Sequence, residues 1–169
     1  MGYTTDTAMA YFVAPAKIAK SAGTWTPTLG TNTVGDVRTA GAATFNLFVP
    51  MNPPLSNSVG LKGVRVKSVE LLYTNATADL TSVTTVEIEK MSVSSAGAVT
   101  GAAVTATINS AEDTTAKRIT QANHRVIVTI TTPVWLDNDE ALHLYVAFSA
   151  AGTSAVTLWG AIVNYDLRV

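Results

Sequence analysis

The chain contains no cysteine, only two histidines among its 169 residues, and no run of basic side chains. Without thiols, a disulfide framework and thiolate metal sites are excluded. The 11 Lys and Arg are scattered among 12 Asp and Glu, for a formal net charge of −1. Nucleic-acid binding needs several cations on one face to neutralise phosphates, so no nucleic-acid partner is expected. Charged residues make up 14% of the chain, against roughly 25% in an ordinary soluble domain. Thr, Ser and Ala take the vacant surface positions. Such a surface is easily desolvated, and a net charge near zero gives little self-repulsion, so the composition favours association. No stretch approaches the roughly 18 apolar residues of a membrane-spanning helix, and no membrane partner is expected. Asp6 near the start, and Pro15 closing the short apolar stretch Ala8 to Ala16, argue against a Sec-type leader.

What the sequence has in plenty is period-two alternation. From about Ala43 to Leu167, apolar residues recur at every second position between short turns of Gly, Asn, Asp, Ser and Thr, the pattern of strands with one buried face. Thr44 to Val49 places Phe45, Leu47 and Val49 on one face, and Pro50-Met51-Asn52-Pro53-Pro54 stops it. Gly63 to Tyr73 sets Val64 and Val66 inward, then changes phase to Val69, Leu71 and Tyr73, as a β-bulge near Lys67-Ser68 would require. Val83 to Val93 and Val99 to Ile108 flank Ser94-Ser95-Ala96-Gly97 and read as a hairpin. His124 to Thr132 alternates Val126, Val128 and Ile130 with Arg125, Ile127 and Thr129, and Pro133 is expected to end that run. Leu142, Leu144, Val146 and Phe148 form a further inner row after the turn Asp137-Asn138-Asp139-Glu140.

Ser110-Ala111-Glu112-Asp113 has the form of a capping box and predicts one helical turn crossing between sheets before Lys117 to Gln121. The last strand, Val156 to Leu167, is apolar on both faces. Val156, Leu158 and Ile162 lie on one side, with Trp159, Ala161, Val163 and Tyr165 on the other. A strand of that kind is expected to be covered on both sides. Residues 1–41 lack steady alternation and are punctuated by Pro15, Gly23, Pro27, Gly30 and Gly35. They read as an extended arm that docks either on its own sandwich or on a neighbouring subunit, with residues 42–169 as the sandwich domain. Roughly eight strands in this order predict an all-β, two-layer antiparallel β-sandwich of jelly-roll or related Greek-key type. The length suits one domain burying roughly 70% of its unfolded surface.

No catalytic constellation is visible. His124 and His143 fall on different predicted strands without an aspartate pair at ligand spacing, so neither a metal nor another cofactor is expected. No Gly-x-Ser-x-Gly elbow exposes a nucleophile. Asp137-Asn138-Asp139-Glu140 lacks the glycine spacing of a calcium loop and reads as a hairpin turn. Asn75-Ala76-Thr77, formally a glycosylation sequon, also reads as a turn. Trp25, Trp135 and Trp159 could form a sugar-stacking platform only if they shared one flat surface; on different segments they read as core or interface residues. The candidate interface is therefore Trp159, Val163 and Tyr165 on the terminal strand, with Tyr11, Phe12 and Trp25 in the arm.

Gly23-Thr24-Trp25-Thr26-Pro27-Thr28-Leu29 resembles the Gly-x-Trp-Thr-Pro-x-Leu phrase of bacteriophage tail-fibre and other virion surface proteins. In size, in low charge and in its Thr-, Ala- and Val-rich strands, the whole chain resembles the small jelly-roll decoration, or cement, proteins of tailed-phage capsids. The resemblance implies a non-enzymatic structural protein of the virion, assembled in the host cytoplasm. Its implied partners are copies of itself, a trimer being favoured, and the shell of a major capsid protein. The alternatives are a tail-fibre or receptor-binding module and a secreted carbohydrate-binding sandwich.

Overall fold

The structure is a computed structural model that describes residues 6–30, 33–40, 43–53, 64–137, 139–150 and 156–168, the side chains of residues 40, 43 and 168 excepted. Its elements run β1 (Asp6–Val13), a 3-10 turn (Pro15–Lys17), β2 (Ala19–Lys20), β3 (Thr24–Leu29), β4 (Val34–Ala40), β5 (Ala43–Pro50), β6 (Val64–Asn75) and β7 (Leu80–Val93). They continue with β8 (Val99–Val104), β9 (Ala106–Ile108), α1 (Thr115–Arg118), β10 (Asn123–Leu136), β11 (Glu140–Ala150) and β12 (Val156–Arg168). The strands form two antiparallel sheets. The larger has seven strands in the order β3-β4-β12-β6-β10-β9, with β1 also on β12; the smaller has five, ordered β2-β5-β11-β7-β8.

The inner faces meet as alternation requires. Phe45, Leu47 and Val49 of β5, with Leu142, Leu144, Val146 and Phe148 of β11, are buried from the smaller sheet. Val64, Val66, Val69, Leu71 and Tyr73 of β6 and Val126, Val128 and Ile130 of β10 oppose them. The phase change in β6 comes from the expected bulge, since the β6–β12 and β6–β10 registers both pass from Ser68 to Val66 without pairing Lys67. An aromatic path threads the core. Trp25 meets Phe45 edge-on at 5.7 Å, Phe45 stacks on Phe148 at 4.8 Å, and Phe148 meets Tyr73 edge-on at 5.6 Å. Tyr73 then stacks on His124 at 4.7 Å. Offset and edge contacts of this kind suit the ring quadrupoles.

Several expectations are corrected. Residues 6–40 are not a separate arm, because β1 and β4 pair with β12 and β2 pairs with β5, so this segment supplies strands to both sheets. Its alternation is faint because β1 is exposed along most of its length; main-chain bonds to β12, more than burial, set its register. Pro133 does not end a strand. It lies in the register break between Thr129 and Val134, where a residue without N–H costs no ladder bond. The expected single strand 99–108 divides at Thr105, so that β8 stays on β7 while β9 joins β10 in the other sheet. The helical turn is capped by Thr114, whose side chain accepts from the Lys117 N–H, and not by Ser110.

The terminal strand is the most instructive correction. Its register with β6 slips between Leu158 and Gly160, and Gly160 has φ +124°. The slip turns Val156, Leu158, Ala161, Val163 and Tyr165 all inward, leaving Thr157, Trp159, Ile162 and Asn164 on the outer face. The two apolar faces read from the sequence are one face interrupted by a bulge. Gly41 at the expected domain boundary, Pro54 and Gly63 beside expected strands, and Asn138 in the expected turn lie outside the described residues.

Candidate functional site: the outer face of the larger sheet

Directly paired residues share a face, so the registers map the outer surface of the seven-stranded sheet. Phe12 lies opposite Ile162, which lies opposite Glu70, which lies opposite Ile127. Phe12 is the exposed member, at 55%. A Cβ built on Gly160 would stand 2.5 Å from Phe12 Cζ and 2.6 Å from the Val13 carbonyl oxygen, so the ring lies over the bulge and only glycine fits beneath it. Trp159 follows the same plan one strand away. A Cβ on Gly35 would stand 2.8 Å from Trp159 Cε3, while at the far side of the indole Nε1 donates to Thr74 Oγ1 at 2.7 Å. The ring thus spans from β4 to β6 across its own strand.

Beside it opens a cleft of about 400 Å³ lined by Leu72, Tyr73, Asn123, His124, Arg125 and Trp159. Charges on this face are internally matched. Glu70, almost buried, receives Arg125 Nε at 2.6 Å and Asn164 Nδ2 at 3.0 Å. Toward the other end Asp166 receives Arg65 at 2.7 Å and Lys67 at 3.3 Å, and Arg65 also reaches Asp6 at 3.3 Å. The Arg65 hydrogen bond, more than any other contact, holds the Asp166 carboxyl below the usual carboxylate range. Arg65 also lies over the Trp135 ring, 5.5 Å from its centroid.

Of the six residues expected at an interface, the structure brings Phe12 and Trp159 together on this face. The other four turn inward. Val163 and Tyr165 are 0% and 3% exposed, covered by their own chain and closed to any partner. Tyr11 pairs with Val163, meets Tyr165 edge-on and donates to the Asn52 carbonyl at 3.1 Å. Burial pushes its hydroxyl up to about 12. Trp25 packs on the core through Phe45, with Nε1 donating to the Ala22 carbonyl at 3.0 Å. The outer position of Ile162 was missed because the bulge at Gly160 inverts the phase of β12, and a glycine inside an apolar strand was the available signal; Glu70 and Leu72 of β6 were missed because only the strand pairing brings them beside it.

Behind the cleft lies a buried polar cluster. His124 Nδ1 faces both Glu112 carboxylate oxygens at 3.0 and 3.1 Å, and Nε2 faces the Thr120 carbonyl at 2.9 Å. Arg118 donates to the Val83 and Glu112 carbonyls, and Tyr73 donates to the Arg118 carbonyl at 2.6 Å. Apart from the Arg118–Glu112 bond, which lies within the crossover around α1, these contacts tie it to β6 and β10 of the larger sheet and β7 of the smaller, so the cluster reads as a fastening. Desolvation pushes the Tyr73 hydroxyl far up from its ordinary value. Asn75 of the sequon is 1% exposed and donates to the Ile119 carbonyl at 2.7 Å, which withholds it from a glycan in the folded chain. His143 sits on the smaller sheet, paired with Glu89 at 2.7 Å. Among the described residues no three His, Asp or Glu side chains gather as metal ligands.

No protein-family model matches the chain, and no curated protein sequence matches it.

Proposed function

We propose that this chain is a non-enzymatic structural protein of a virion surface, a capsid decoration protein of jelly-roll or related Greek-key type, which works by burying a sheet face against its assembly. The observation that carries the reading is the outer face of the larger sheet. Phe12, Trp159, Ile162, Leu72 and Ile127 present apolar surface there, and the charges among them are matched within the chain. Such a face is desolvated at small electrostatic cost, and each repeated contact gains roughly 25 cal/mol per Å² of apolar area less the cost of ordering. The low charge of the whole surface and the Gly23 to Leu29 phrase support the same class. Copies of itself and a shell of major capsid protein are the proposed partners. Quantitative mass spectrometry of purified particles tests it. A copy number that is a simple fraction of the major shell protein is expected; absence from particles overturns the reading, and a few copies per particle moves the chain to the tail.

The cleft beside Trp159 favours a second reading, a carbohydrate-binding sandwich, because an indole flanked by Asn123 and Arg125 suits a sugar ring. Tryptophan fluorescence titrated with an oligosaccharide panel decides it. Saturable quenching that disappears in Trp159→Ala would support this second reading.

A further inference from the structure

Between Lys90 and Glu112 the chain has no charged residue and no proline. The middle of that stretch is β8, the last strand of the smaller sheet, bonded to β7 along one edge. Its other edge offers main-chain N–H and C=O groups with no strand partner among the described residues. Both of its faces are bare as well, since residues 99–103 are all exposed. Met91 pairs with Gly101 and Val93 with Val99, so Met91, Val93 and Val99 form one exposed apolar strip, at 37%, 42% and 58%. Edges of this kind are ordinarily protected by lysine, proline, brevity or a cover.

The other ends of the sheets have such protection. Edge strand β3 carries Pro27, β9 has three residues, and β2 has two, one of them Lys20. Edge strand β1 is long, but Tyr11 and Val13 pack it on the core and Phe12 covers Gly160. Among the described edge strands of more than three residues, only β8 has neither a charged residue nor a proline. An uncharged edge is self-compatible, because an antiparallel copy opposes no like charges across the new ladder.

We infer that β8 is a dimerisation strand, pairing antiparallel with β8 of a second copy about a two-fold axis so that the smaller sheets of two molecules become one continuous sheet. This is an isologous and closed contact, with main-chain bonds supplying affinity as in strand addition. It stands independently of the capsid reading, and it replaces the trimer expected through the terminal strand, whose Val163 and Tyr165 are buried within the chain.

Gly101, near the middle of β8, provides the test. A Cβ there meets nothing within 4 Å, so substitution leaves the monomer intact, and the two-fold brings position 101 beside its own copy. Light scattering of the wild type at micromolar concentration is expected to give twice the 17.6 kDa chain mass, and Gly101→Lys to halve it with unchanged circular dichroism and with melting that no longer depends on protein concentration. Antiparallel partners stand about 4.5–5.5 Å apart at Cα, within the roughly 4.4–6.8 Å that a disulfide spans. In a chain without cysteine, Gly101→Cys should therefore cross-link on oxidation while the exposed control Thr107→Cys does not. A monomeric wild type overturns the inference. So does a dimer that survives Gly101→Lys, or one in which Gly101→Cys cross-links no better than the control. Virion mass spectrometry plays no part in these outcomes, so the two proposals fail separately.

Discussion

Residues 156–165 of β12 and residues 99–108 across β8 and β9 are close in composition. Each opens with Val-Thr, holds one glycine, and carries no charged side chain. Their surroundings are opposite. β12 lies between β6 on one side and β4 with β1 on the other, and five of its apolar side chains face the core. β8 has one neighbour, and five of its six residues are exposed. The two glycines show the same contrast, as Gly160 is packed beneath Phe12 against the Val13 carbonyl while Gly101 looks into open space. Apolar composition records a readiness to be covered; the pairing partners decide whether the cover comes from the same chain.

The largest test of that contrast removes a side chain from each environment. Phe148→Ala takes a ring from between Phe45 and Tyr73 and should cost about 3–5 kcal/mol in denaturant unfolding. Val99→Ala, judged on the monomeric Gly101→Lys background, should stay within about 0.5 kcal/mol. Equal costs would mean that the hairpin is packed.

A slightly smaller effect distinguishes the glycines. Gly160→Ala places a methyl against backbone at a φ of +124° and should lose about 2–4 kcal/mol, whereas Gly101→Ala should be near neutral. Hydrogen exchange reads the same difference, with slow amides in β12 and fast ones in β8 of the monomeric variant.

The crossover around α1 lies between these extremes, exposed in part yet pinned by buried polar groups. Glu112→Ala leaves His124 Nδ1 buried without its acceptor and should cost about 1–3 kcal/mol. A loss below a few tenths would show that the segment is held by packing alone.

Acid provides the mildest test. The Asp166 carboxyl lies below its unfolded value, so the folded state favours the ionised form. Its contribution is complete above about pH 4, the unfolded value, and is lost as pH falls through the lower folded one. Asp166→Asn should flatten this acid limb of the stability profile, and Gly101→Lys should leave the limb in place.

Much of the fold was legible in particular residues. Phe45, Leu47 and Val49, and Leu142 to Phe148, announce inner rows because each strand has one buried face and period two is then obligatory. The bulge near Lys67 was readable because two valines on one phase and three apolar residues on the next cannot share a face without it. Legibility failed where main-chain bonds set the arrangement. β1 is exposed on most of its positions and shows no period, Thr105 marks no visible break between β8 and β9, and Pro133 sits harmlessly in a register gap. Phe12 and Trp159 were legible as surface aromatics, whereas Val163 and Tyr165 were assigned outward because Gly160 was not read as a bulge.

By itself the sequence determined an antiparallel sandwich, its inner rows and a surface poor in charge, since these follow from side-chain periodicity and composition, which are local. Only the tertiary structure decided which strands are edges, where β12 changes phase, and which apolar residues its own chain leaves uncovered. The physical reason is that hydrogen-bond partners in a sheet are distant in sequence. A strand's environment is a property of its neighbours, which make β8 an edge and β12 an interior strand.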